Sequence, residues 1–78
     1  MDRIQAMQMF VRVAEAGSFV RAAETLSLPA STVTSTIKNL EKYLKVRLLN
    51  RTTRRVSLTP EGMQYLAQCR EILALIEH

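Results

Sequence analysis

Apolar side chains recur at steps of three and four along most of this 78-residue chain, and strict alternation replaces that step only in short pieces between Val46 and Leu58. The first period belongs to an α-helix with one buried stripe, the second to a half-buried strand. The chain is therefore expected to be mainly α, with one short two-stranded element. A single domain of this size buries only about 60 % of its unfolded surface, so a large substrate cavity is not expected.

Residues 2–16 place Ile4, Met7, Phe10, Val11 and Ala14 on one stripe, and Gly17 ends that helix. Ser18 suits the N-cap of a second helix, whose inner face is Phe19, Ala22, Ala23 and Leu26. The paired alanines fit either close helix approach or simple helix propensity. Leu28 and Pro29 interrupt the pattern, because proline disfavours helical geometry in the residue before it. From Ser31 to about Lys45 a third helix carries Val33, Ile37, Leu40 and Leu44 as core, within roughly 60° of one another at 100° per residue. Val46-Arg47-Leu48 and Val56-Ser57-Leu58 alternate and are expected to pair across a basic loop over residues 49–55. Thr59 as N-cap, Pro60 at the first helical position and Glu61 at the positive helix end start a fourth helix. Its apolar band holds Tyr65, Leu66, Cys69, Ile72, Leu73 and Ile76. Met63 and Ala67, on another side, are expected to anchor it to its own domain, leaving the later seam for a partner helix.

The third helix has a second face. Ser31, Ser35, Lys38 and Lys42 point almost opposite to the apolar stripe, with Thr34 on the flank. Short hydroxyls at the start and lysines towards the end suit close approach to base edges and then phosphates, although a solvated helix surface has the same pattern. Charge strengthens the first reading: residues 28–58 carry seven basic side chains against the single acid Glu41, a net +6, while the remainder is four against six, a net −2. A patch this localised can displace the counterions condensed on a phosphate backbone.

Other functions find little support. One cysteine, Cys69, forms no intramolecular disulfide and no zinc site alone, and no basic-plus-apolar leader or membrane-length apolar run is present. A cytoplasmic, nucleoid-associated protein without cofactor or metal is expected. The lone His78 is terminal, and no carboxylate pair or glycine-rich loop accompanies it, so an enzyme is not expected.

Four motifs follow in order: F-V-R-V-A-E-A-G-S-F at 10–19, A-A-E-T-L at 22–26, N-L-E-K-Y-L-K-V-R-L-L-N-R at 39–51 and T-T-R-R-V-S-L-T-P-E-G at 52–62. Together with the element order they resemble the winged helix-turn-helix DNA-binding domain of the LysR-type transcriptional regulators, over essentially the whole chain. The resemblance implies a winged helix-turn-helix domain over 1–58, with a recognition helix from about Ala30 to Leu44 entering a major groove, and a linker and dimerisation helix over 59–78. It places DNA contacts on Ala30, Ser31, Thr34 and Ser35 with Lys38 nearby, and on a wing of Arg51, Thr52, Thr53, Arg54 and Arg55. It implies a homodimer through the last helix on an inverted-repeat site, and a small-molecule effector bound only by a C-terminal domain that this chain lacks. One departure stands out. Where the family often has serine then arginine, this chain has Thr34 and Ser35, neither of which reaches guanine in bidentate fashion. The alternative is a winged-helix module whose basic face meets an acidic protein partner. Structured RNA fits less well, because no aromatic lies within the basic wing.

Overall fold

The computed structural model describes residues 2–51 and 55–77, and among them lie four helices and one hairpin: α1 (Arg3–Ala16), α2 (Phe19–Leu26), α3 (Ala30–Leu44), β1 (Leu49–Arg51), β2 (Val56–Leu58) and α4 (Pro60–Glu77). The fold is mainly α with a two-stranded antiparallel sheet, as the periods require. Local chemistry sets most ends. Asp2 accepts the Gln5 amide at 3.0 Å and Ser18 the Arg21 amide at 3.3 Å, each satisfying an orphan donor of a first turn. Gly17 ends α1 at φ 69, where the absence of a Cβ removes the left-handed penalty. Ser27 and Lys45 end α2 and α3 in the same region, both at φ 57, without that freedom. Each is closed by the following amide reaching back five residues, Leu28 to the Ala23 carbonyl at 3.0 Å and Val46 to that of Glu41 at 3.2 Å.

Two expected boundaries move. Helix α3 begins at Ala30, as the resemblance implies, one residue before the start read from periodicity, because Pro29 occupies the cap position with its ring-fixed φ of −62 and no side-chain cap bond. Strand β1 begins at Leu49, not Val46, and pairs Leu49 with Leu58, Asn50 with Ser57 and Arg51 with Val56. The alternation at 46–48 reflects the burial of Leu48 rather than strand pairing. The backbone there is already engaged: the Val46 amide closes α3, the Leu48 amide donates to Glu41, and the carbonyls of Arg47 and Leu48 accept from Thr59.

Helix α1 packs against the other three helices and against β2. The core gathers Phe10 and Val13 of α1, Ala22 and Ala23 of α2, Val33, Ile37 and Leu40 of α3, Leu48 and Leu49, and Leu66 and Cys69 of α4. Both alanines are buried, where larger side chains would separate the helices. Leu44, expected in the core, lies half-buried at its edge.

Helix α4 is seated through its first turn. Thr59 Oγ1 accepts the Gly62 amide at 2.9 Å and donates to the Arg47 carbonyl at 2.6 Å, while its backbone amide donates to the Leu48 carbonyl at 3.0 Å. Gly62 lies so close to Leu48 that a Cβ there would overlap the carbonyl oxygen and stand 3.0 Å from its carbon. That approach turns the side bearing Leu66, Cys69 and Leu73 inward. The expected role of Met63 and Ala67 is thereby reversed: both are exposed, Met63 by 61 %. Tyr65 packs on Phe10 with ring centroids 5.5 Å apart. Its buried hydroxyl has no hydrogen-bond partner among the described residues. Burial pushes both the Tyr65 phenol and the Cys69 thiol above their ordinary ranges.

Candidate nucleic-acid interface

The two faces of α3 are separated as the sequence spacing requires. Val33, Ile37 and Leu40 are fully buried, whereas Ser31, Ser35, Lys38 and Lys42 are exposed. Ala30 and Thr34 are half-buried on the flank. The hydroxyls of Ser31, Thr34 and Ser35 make no hydrogen bond among the described residues and so present donors and acceptors outward. By contrast, Thr36 turns its hydroxyl back to the Thr32 carbonyl at 2.8 Å.

This face is continuous with the start of the hairpin. Ser35, Lys38, Asn39, Lys42 and Lys45 line one side of an open cleft of about 700 Å³, and Val46, Arg47 and Arg51 the other, with Glu41 between them. Five cations thus surround a single acid. Low-dielectric walls beneath such a charge set focus its field outward, which favours a polyanion in the groove.

Glu41 makes contacts that sequence reasoning missed. Its Oε2 accepts the amides of Leu48 at 2.9 Å and Leu49 at 3.2 Å, and its Oε1 accepts Nη2 of Arg51 at 2.8 Å. The pair is sheltered, with 14 % of the Glu41 side chain and 33 % of the Arg51 side chain exposed. The Arg51 guanidinium also stands 5.4 Å from the centre of the Phe19 ring, a cation–π contact with the first residue of α2. Arg51, expected on the wing, is thus held at the turn end of β1, tied to both α2 and α3. The signal available in the sequence was a lone acid on the flank of the apolar stripe within a strongly basic stretch.

Arg55 lies beyond the hairpin turn. With Arg21, Gly17, Ser18 and Val56 it lines a second concavity of about 520 Å³ beside the start of α2, where the Val56 amide donates to the Gly17 carbonyl at 3.4 Å. Thr52, Thr53 and Arg54 lie outside the described residues. Of the residues assigned to dimerisation, Leu66, Cys69 and Leu73 are buried in the chain's own packing, and Tyr65 is half-buried. Ile72 and Ile76 are exposed, joined by Leu75, which the sequence reading did not single out. No group of side chains able to hold a metal ion, and no helix long and apolar enough to cross a membrane, occurs among the described residues.

Comparison with known proteins gives a consistent picture. Residues 4–63 match the family described as "Bacterial regulatory helix-turn-helix protein, lysR family". The chain is 51 % identical over 77 residues to an HTH-type transcriptional repressor of Pseudomonas aeruginosa, covering 99 % of this chain and 24 % of that protein. It is 42 % identical over 73 residues to the HTH-type transcriptional activator AaeR of Escherichia coli, covering 94 % of this chain and 24 % of that one. The chain thus spans about a quarter of the length of these relatives. Among solved structures, the DNA-binding domain of CbnR in complex with DNA superimposes with a TM-score of 0.93 at 35 % identity, over 95 % of this chain and 85 % of that one. The BenM DNA-binding domain with catB site 1 DNA gives 0.92 at 32 % identity, over 95 % and 82 %.

Proposed function

The chain belongs to the lysR family of bacterial regulatory helix-turn-helix proteins, and from that premise we propose that it binds duplex DNA sequence-specifically as the DNA-binding part of a transcription regulator. The carrying observation is that the hydroxyl-and-lysine face of α3 and the cations Arg47 and Arg51 line one open cleft. In this reading α3 enters the major groove with Ser31, Thr34 and Ser35 towards base edges, while Lys38 and Lys42 meet phosphates. Arg55, with Thr52, Thr53 and Arg54 of the wing, engages the adjoining backbone or minor groove. The solved complexes of CbnR and BenM DNA-binding domains with DNA support the same use of the fold.

Because Thr34 and Ser35 are short, readout along α3 is by hydroxyls, water and thymine-methyl contact, with more discrimination left to groove shape. The exposed apolar end of α4, Ile72, Leu75 and Ile76, joins two copies into a homodimer. A two-fold dimer requires an inverted-repeat site, since identical helices must meet equivalent grooves. A small-molecule effector would act through a further domain of the regulator.

Selection of bound fragments from a random duplex library tests this reading. It predicts one enriched motif with two inverted half-sites about one helical turn apart, or a multiple of that. Recovery of unenriched sequence, or of a single asymmetric site, contradicts it.

A further inference from the structure

We infer that Glu41 is a positioning residue for DNA recognition: it sets where the hairpin stands relative to α3 and makes no DNA contact of its own. The inference rests on the reading of this chain as a duplex binder.

An acid amid five cations works against a polyanion surface, so its place there needs a reason. The geometry supplies one. Both carboxylate oxygens are engaged by the chain that enters and forms β1, through the Leu48 and Leu49 amides at one end and the Arg51 guanidinium at the other. Leu49 and Arg51 are the first and last residues of that strand, so one side chain of α3 pins it at both ends. The Arg51 contact with Phe19 extends the tie to α2. From the other side Thr59 holds the carbonyls of Arg47 and Leu48, which leaves the segment little freedom to pivot. Turned largely away from solvent, the carboxylate reads no base. It fixes the register between the helix that reads bases and the wing that sits on backbone, and phosphate contacts made in the wrong register lose their link to sequence.

Charge and position then predict opposite signs. In Glu41→Gln the surface loses a repulsion, while the amide replaces the charge-assisted bonds with weaker ones and donates where the carboxylate only accepted. Affinity for a scrambled duplex should rise about twofold to threefold at low salt. Affinity for the selected site should fall, so that their ratio drops by about tenfold or more. Glu41→Asp keeps the charge but not the reach. It should lower the ratio without the rise on scrambled duplex, and it serves as the second variant where Glu41→Gln fails to fold.

Fluorescence anisotropy of the 78-residue chain on selected and scrambled duplexes reads all of these. A ratio unchanged in a folded Glu41→Gln or Glu41→Asp protein, with both affinities moving together, overturns the inference. Failure of the unmodified chain to bind either duplex in a salt-dependent way is a different outcome, and it removes the function on which the inference stands.

Discussion

Gly62→Ala separates a packing role from a propensity role by the sign of its effect. At an open helix position alanine in place of glycine stabilises by up to about 1 kcal/mol. Here the added methyl would overlap the Leu48 carbonyl oxygen, which is backbone and cannot swing aside as a side chain would. Relief requires the first turn of α4 to retreat from the 47–48 segment. That movement strains three hydrogen bonds that meet at Thr59: to the Arg47 carbonyl, to the Leu48 carbonyl and from the Gly62 amide. At roughly 0.5–1.5 kcal/mol each these amount to about 2–4 kcal/mol, and overpacking adds about 1–3 kcal/mol. Less the propensity gain, the variant should lose about 2–6 kcal/mol. With a urea slope near 1 kcal/mol/M for so small a domain, the midpoint should fall by about 2 M or more. Urea unfolding followed by circular dichroism makes the measurement. An unchanged midpoint, or one that rises, would refute the reasoning that Gly62 is fixed by close approach.

Further expectations follow from the same geometry. Lys45→Gly relieves a left-handed residue and should stabilise by roughly 0.5–1 kcal/mol, while the loss of a cleft cation lowers the salt slope of duplex binding by about 0.9; thermal melts and salt titrations check the two halves separately. Ala at both Thr34 and Ser35 should reduce the ratio of specific to nonspecific affinity with little change on scrambled duplex, and an unchanged ratio would take base readout away from them. Ile72→Asp with Ile76→Asp should leave the fold intact, because both residues are exposed, yet shift sedimentation from dimer to monomer. Finally, because burial raises the Cys69 thiol in the folded chain, its contribution to stability is fully present below the unfolded thiol value of about 8.5 and is lost as pH rises through the folded value. Urea midpoints should decline across that window more steeply in the unmodified chain than in Cys69→Ala.

What the sequence made legible was what short-range periodicity controls. The four helices, the two faces of α3 and the caps at Ser18 and Thr59 all depend on residues within a few positions of one another. The start of β1 was not legible, because Val46 to Leu48 alternates like a strand while its backbone partners are Glu41 on α3 and Thr59 at the N-cap of α4. The facing of α4 was equally hidden. Its apolar band is wider than the core can cover, and the choice falls to Gly62, a residue without a side chain whose meaning depends on Leu48 lying against it. Glu41 shows the same limit at the site: a lone acid in a basic stretch has the appearance of solvated charge until the strand it holds is in place.

The central claim, that the outer face of α3 and the segment leading into and forming β1 make one surface for a double helix, is tested most directly by amide shifts of the ¹⁵N-labelled chain titrated with the selected duplex. The largest changes should fall on residues 31–42 and 47–51, together and at the same stoichiometry, with α1 little affected. Changes centred on α1 or on the exposed end of α4, with the face of Ser31 and Ser35 silent, would contradict it.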